Sequence, residues 1–276
     1  MLPLLVDADV LVDYLDDPHV KIVDLTRRTV YQQVHLPKAI HVQPKQLVQP
    51  IGLASGFLPS LTQMQALIEH LHLAPTDHVV AYDDEGGAWA SRLLWNLHCI
   101  GFLNTSLLNG GIQAWLNGKY PISHQVHQPI IPQQYFQPSF ATSAQYKIDY
   151  QTLKKYVQEQ SIQIWDCRSL EEYTGQKRTA RLAGHIPNAR HYEANTAICT
   201  KNHLRLHPLD QIKQQLQQVG FDLTKPVVVY CQSHHRSALA YMIGRLLNWQ
   251  VMAYDGAWSE WGNCLHSPTV MGEKPL

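Results

Sequence analysis

Short apolar runs alternate with longer stretches of helical period along the chain. Residues 227–230 (Val-Val-Val-Tyr) are β-branched or aromatic without a polar break, the pattern of a strand buried on both faces. Residues 237–247 carry helix formers with apolar spacing, which predicts a helix. Between them lies a six-residue loop: Cys231, Gln232, Ser233, His234, His235 and Arg236. The same reading gives strands at residues 21–25 (KIVDL), 78–82 (HVVAY) and 162–166 (IQIWD), and a helix over the stretch ASRLLWNL. Strands alternating with helices predict an α/β fold, a mainly parallel sheet with helices on both faces.

That pattern occurs twice. Asp24 and Asp166 end matching strands, with Arg27 and Arg168 just beyond; His35-Leu36-Pro37 matches His185-Ile186-Pro187; Asp83 matches Cys231; Asn109-Gly110-Gly111 matches Asp255-Gly256-Ala257. The offsets are 142, 150, 148 and 146 residues, in one order, so the chain holds two copies of one fold. We expect one domain over residues 1–122, a second over 144–276 and a linker over 123–143. The linker region is rich in Pro, Gln, His and Ser without helical period, and is expected to wrap along the surface. The polar stretch between Leu170 and Ala180 reads as a loop. Ligands of such sheets bind outside the carboxyl ends of the strands, where Cys231 stands.

At that position a thiol meets the free amides and positive dipole end of a helix, which favour an anion. Such a thiol is expected to ionise more easily than a free one, whose pKa is ~8.5. Arg236 adds a permanent cation, and His234 and His235 add donors whose charge varies near neutral pH. Cys231 is therefore the candidate nucleophile, with Gln232, Ser233, His234, His235, Arg236 and Ser237 as candidate substrate-binding residues. The pocket suits a small anionic, sulfur-bearing substrate. The remaining cysteines, Cys99, Cys167, Cys199 and Cys264, read as packing residues, although any of them near Cys231 has access to its sulfur. Asp166 and Arg168 read as an ion pair tying loops to the sheet.

Composition narrows the classes further. Lys plus Arg equals Asp plus Glu at 22 each, which argues against a nucleic-acid surface. Five scattered cysteines suit a reducing compartment. The first residues lack a basic leader and no stretch has the ~18 to 20 apolar residues of a membrane span, so a cytoplasmic protein is expected, and the pseudo-symmetry of its two copies suggests a monomer. Cys231-x-x-His234-His235 has no second ligand pair at metal spacing, so neither a metal nor a cofactor is expected.

Taken in order, Asp166-x-Arg168 with Glu171, Glu172 and Tyr173, Gly184-His185-Ile186-Pro187-Asn188-Ala189, the Cys231 loop and Tyr254-Asp255-Gly256-Ala257-Trp258 resemble the tandem-domain rhodanese family. The loop is similar to that of a bacterial subgroup of thiosulfate sulfurtransferases with Cys-Gln-x-His-His-Arg. The resemblance implies a catalytic second domain and an inactive first one, in which Asp83 replaces the nucleophile. It further implies that the Cys231 thiolate takes the outer sulfur of thiosulfate as a persulfide and passes it to cyanide or a thiol. A 3-mercaptopyruvate donor is the alternative, and a persulfide-carrying protein is a further partner of that chemistry. Many tandem members have an anion-holding arginine where this chain has Glu172, so Arg236 or a histidine is expected to substitute. A phosphatase would have five residues between Cys and Arg; four separate Cys231 from Arg236, which favours sulfur. A non-catalytic binding module fits the first copy, not the second.

Overall fold

The structure is a computed structural model describing residues 2–275. It contains two compact units. The first runs to Leu47, resumes over Pro59–Ser143 and takes in Ile198–Leu206; the second comprises Val48–Leu58, Ala144–Ala197 and the chain from His207 onward.

Each unit is built on a five-stranded, all-parallel sheet. The first has the order Leu5–Val6, Thr105–Leu108, His78–Tyr82, Val20–Asp24, Ile40–His41. The second has Lys147–Ile148, Val251–Tyr254, Val227–Tyr230, Gln163–Asp166, Ala189–His191. The two orders correspond strand for strand, as the repeat predicts. Val227, Val228, Val229 and Tyr230 are all fully buried, which requires cover on both faces of the strand, and the alternating helices supply it. Each buried valine contributes about 1.5 to 3 kcal/mol relative to an exposed one.

The core of the first unit joins Val6, Ile22, Val80 and Trp115. That of the second joins Ile148, Ile164, Val228, Trp258 and Trp261. The helix Arg236–Leu246 lies so close to its sheet that a Cβ added at Gly244 would meet Val251 at 3.0 Å. The missing side chain leaves room for the Val251 side chain against the helix.

Residues 123–143 are strapped to the first unit. Ser123 pairs with His35, the Phe136 amide donates to the Leu73 carbonyl, and the Ser139 amide donates to that of Ile100. One expectation fails: the polar stretch after Asp166 opens with a short helix, Leu170–Thr174, rather than a loop. Its start is a capping box, in which the Ser169 hydroxyl accepts from the Glu172 amide and the Glu172 carboxylate accepts from that of Ser169. This Ser-x-x-Glu signature stabilises a helix too short to show a period.

Among the described residues no helix is long and apolar enough to cross a membrane. No group of three or more His, Cys, Asp or Glu side chains among them is placed to hold a metal ion.

Candidate active site

Cys231 follows the strand Val227–Tyr230 directly, and Arg236 is the first residue of the helix, so the loop is one residue shorter than the apolar pattern alone suggests. His234 has φ of +52°, a left-handed conformation that costs a non-glycine residue energy. This turn folds the loop back over Cys231. Two bonds anchor it from below: the Trp258 amide donates to the Cys231 carbonyl (2.9 Å) and the Ser259 amide to that of Gln232 (2.9 Å).

The first unit shows what such a loop holds. Asp83 occupies the place of Cys231, and its carboxylate is fully enclosed. Oδ1 accepts from the amides of Glu85 (2.9 Å) and Gly87 (2.8 Å), and Oδ2 from those of Trp89 (2.9 Å) and Ala90 (3.1 Å). Gly86, at φ +89°, takes the left-handed position that His234 takes in the second copy. Burial raises the Asp83 carboxyl above its ordinary range against the pull of those amides. The loop is thus an anion cradle that in the first unit is filled by the chain's own carboxylate. The amides of Ser233, His235 and Ser237 are the counterparts of Glu85, Gly87 and Trp89.

Cys231 is 1% exposed. The Ser237 hydroxyl donates to its sulfur (Oγ to Sγ 3.4 Å), and His234 Nδ1 lies 2.8 Å from that same hydroxyl. Because the hydroxyl gives its proton to sulfur, the consistent tautomer has His234 Nδ1–H donating to Ser237. Both His234 and Ser237 are fully buried, so His234 supports the sulfur from behind rather than lining the entrance. Gln232, Ser233, His235 and Arg236 are partly exposed.

Arg236 differs from the expectation of a cation open to a donor. Its Nη1 lies 2.7 Å from Glu172 Oε2 and its Nη2 donates to Oε1 at 3.1 Å. Burial alone would raise the Glu172 carboxyl, but the hydrogen bond and charge of Arg236 hold it below the ordinary carboxylate range. The guanidinium charge is largely compensated before a substrate arrives.

Gln232 is also held by protein: its Oε1 accepts from Thr179 Oγ1 (2.7 Å) and its Nε2 donates to the Thr179 carbonyl (3.2 Å). Asp166 and Arg168 form the expected ion pair. Arg168 Nε and Nη2 reach both carboxylate oxygens (2.6 to 3.1 Å), Nη2 also donates to the Gly184 carbonyl, and the Tyr230 hydroxyl donates to Asp166. The Arg168 guanidinium lies over the Trp258 ring at 4.3 Å. This buried cluster fixes the strand ends beneath the loop.

Two contributors escaped the sequence reading. A hairpin of Gln49–Ile51 and Ala54–Phe57 belongs to the second unit. There a Cβ added at Gly56 would lie 2.2 Å from the Ser233 carbonyl oxygen. Leu58 then donates its amide to Asp255 Oδ2 (2.9 Å), which also faces Lys147 (3.3 Å). No local pattern marks these residues; the absence of a side chain at Gly56 is the only signal. A cavity of about 790 Å³ around Gln163, Arg190 and Lys225 opens at the opposite ends of the strands and includes no residue of the Cys231 loop.

A rhodanese-like domain model matches the chain twice, over residues 7–118 and 149–264. A thiosulfate sulfurtransferase of Azotobacter vinelandii is 36% identical over 277 residues, covering 98% of each chain. One of Pseudomonas aeruginosa is 33% identical over 275 residues, covering 97% of each. The solved structure of SseA from Escherichia coli, a 3-mercaptopyruvate sulfotransferase, superposes with a TM-score of 0.79 at 22% identity. It covers 93% of this chain and 99% of its own, and shows the shared fold.

Proposed function

The chain belongs to the rhodanese family, and from that premise we propose that it is a sulfurtransferase that moves a sulfane sulfur from thiosulfate to cyanide or a thiol through a persulfide on Cys231. The observation that carries this reading is the pair of matched loops. In one, four backbone amides donate to the Asp83 carboxylate; in the other, the matching position holds the Cys231 sulfur, to which the Ser237 hydroxyl donates.

The chemistry follows from that placement. The Cys231 thiolate attacks the outer sulfur of thiosulfate; the sulfur–sulfur bond of the donor breaks and sulfite leaves with the electron pair. Charge that develops on the departing sulfite and rests on the new persulfide is met by the loop amides, which are fixed before reaction and need no reorganisation. Ser237 and His234 position the sulfur, and Gln232 and Arg236 hold the loop. An acceptor nucleophile then takes the outer sulfur and returns the thiolate. The five free cysteines support a reducing, cytoplasmic setting; the acceptor there is a thiol or a persulfide-carrying protein, and the working unit is a monomer.

The occupied Arg236 argues against phosphate-ester hydrolysis, which relies on an arginine free to clasp the phosphate. The test is the ratio of kcat/KM for thiosulfate to that for 3-mercaptopyruvate, with cyanide as acceptor and a phosphate ester run beside them. A ratio above one supports the proposal. A ratio well below one assigns the site to mercaptopyruvate, and ester hydrolysis without thiocyanate would overturn the reading.

A further inference from the structure

Cys167 and Cys231 stand side by side at the carboxyl ends of two adjacent strands. Gln163–Asp166 and Val227–Tyr230 pair in parallel with Asp166 opposite Tyr230, and the ladder continues one step because the Cys167 amide donates to the Tyr230 carbonyl (2.9 Å). The Tyr230 hydroxyl reaches the Asp166 carboxylate, so these two side chains share a face. Alternation along the strands then sends the next residues, Cys167 and Cys231, together to the other face. Neighbouring strands lie about 4.8 Å apart, inside the window of about 4.4 to 6.8 Å between α-carbons that a disulfide spans. Both thiols are free, and neither is more than 1% exposed.

The two sulfurs also feel one another. Burial pushes the Cys167 thiol well up, the neighbouring Cys231 adds to that rise, and Arg236 opposes it.

We propose that Cys167 is a resolving thiol, which captures Cys231 as a reversible disulfide when a hydroperoxide oxidises the nucleophile. The Cys231 thiolate attacks one peroxide oxygen and the O–O bond breaks. Cys231 becomes a sulfenic acid, and the other oxygen leaves, with a proton, as water or an alcohol. Cys167 sulfur then attacks Cys231 sulfur. The S–O bond breaks, hydroxide departs with the Cys167 proton as water, and the S–S bond forms. The two cysteines together lose two electrons, which the peroxide gains, and a dithiol returns them. Without a resolving thiol a sulfenic acid advances to the irreversible sulfinic and sulfonic acids.

This inference rests on Cys231 being the reactive thiol proposed above, but it is read by mass and not by sulfur transfer. The full-length protein is treated with a small excess of hydrogen peroxide, its remaining thiols are alkylated, and intact mass and peptide maps are recorded. The wild type is expected to lose two hydrogens, to yield a peptide joining Cys167 to Cys231, and to regain its activity with dithiothreitol. Cys167→Ser is expected to add two or three oxygens at Cys231 and to recover about tenfold less activity. Oxygens accumulating on wild-type Cys231 while Cys167 remains alkylatable would overturn the proposal, as would a cross-link to Cys99, Cys199 or Cys264. The wild-type cross-link does not depend on how the variant folds. An intact cross-link in a protein that forms no thiocyanate would defeat the sulfurtransferase reading and leave this one standing.

Discussion

Arg236 and Glu172 are joined by a two-pronged ion pair, Nη1 to Oε2 at 2.7 Å and Nη2 to Oε1 at 3.1 Å. Their side chains are 23% and 5% exposed. The pair ties the helix start beside Cys231 to the short helix Leu170–Thr174 and engages the guanidinium within the protein.

Glu172→Gln keeps the carbonyl acceptor for Arg236 but removes the opposing charge. The KM for thiosulfate is expected to fall about threefold to fivefold, the effect of one unit charge at several ångströms in a partly screened site. Added salt is expected to erase the gain. Steady-state kinetics at two ionic strengths check this; an unchanged or higher KM at low salt would mean that Arg236 does not reach the donor. Arg236→Ala, which leaves Glu172 enclosed without its cation, is expected to cost about 2 to 3 kcal/mol of stability.

The same pair sets a pH dependence. In the folded protein the Glu172 carboxyl titrates below its ordinary value of 4.5. A carboxyl lowered on folding contributes stability that is present above the unfolded-state value and is lost as pH falls through the folded-state value. The Tm gap between wild type and Glu172→Gln is therefore expected to be full near neutral pH and to close as the pH drops below 4.5. A gap that persists into stronger acid would contradict the assignment.

Gly56 has no chemistry of its own, yet a β-carbon there would lie 2.2 Å from the Ser233 carbonyl oxygen. Gly56→Ala must push the loop or the hairpin aside. Displacement of a reacting group by about 1 Å costs on the order of a hundredfold in rate, so thiocyanate formation is expected to fall by at least tenfold while the protein remains folded by circular dichroism. Unimpaired turnover would show that the hairpin yields instead of the loop.

Most of the architecture was legible because it is written in local patterns. Strands such as residues 78–82 and 227–230 are apolar runs, and the repeat aligns Asp83 with Cys231. The Asp166–Arg168 pair, two residues apart, was equally open to reading. What escaped lies in contacts that no period encodes. Glu172 and Arg236 are far apart in the chain, as are Thr179 and Gln232 or Gly56 and Ser233, and only the folded sheet brings them together. For that reason the sequence shows Arg236 as a cation and Gln232 as a polar loop residue, without the protein groups that engage both.

Ser237→Ala removes the hydroxyl that donates to Cys231 Sγ. A hydrogen bond to a charged group contributes about 1.5 to 3 kcal/mol, so kcat/KM for thiosulfate is expected to fall by about tenfold or more with little change in Tm. Stopped-flow measurement of sulfite release checks this, and an unchanged rate would remove Ser237 and His234 from the machinery.

The central claim is that Cys231 carries the sulfur, and intact mass spectrometry after thiosulfate treatment tests it most directly. The wild type is expected to gain one sulfur, mapped to Cys231 and removed by cyanide with formation of thiocyanate, and Cys231→Ser to gain none. A sulfur found on Cys99, Cys167, Cys199 or Cys264, or thiocyanate still formed by Cys231→Ser, would contradict it.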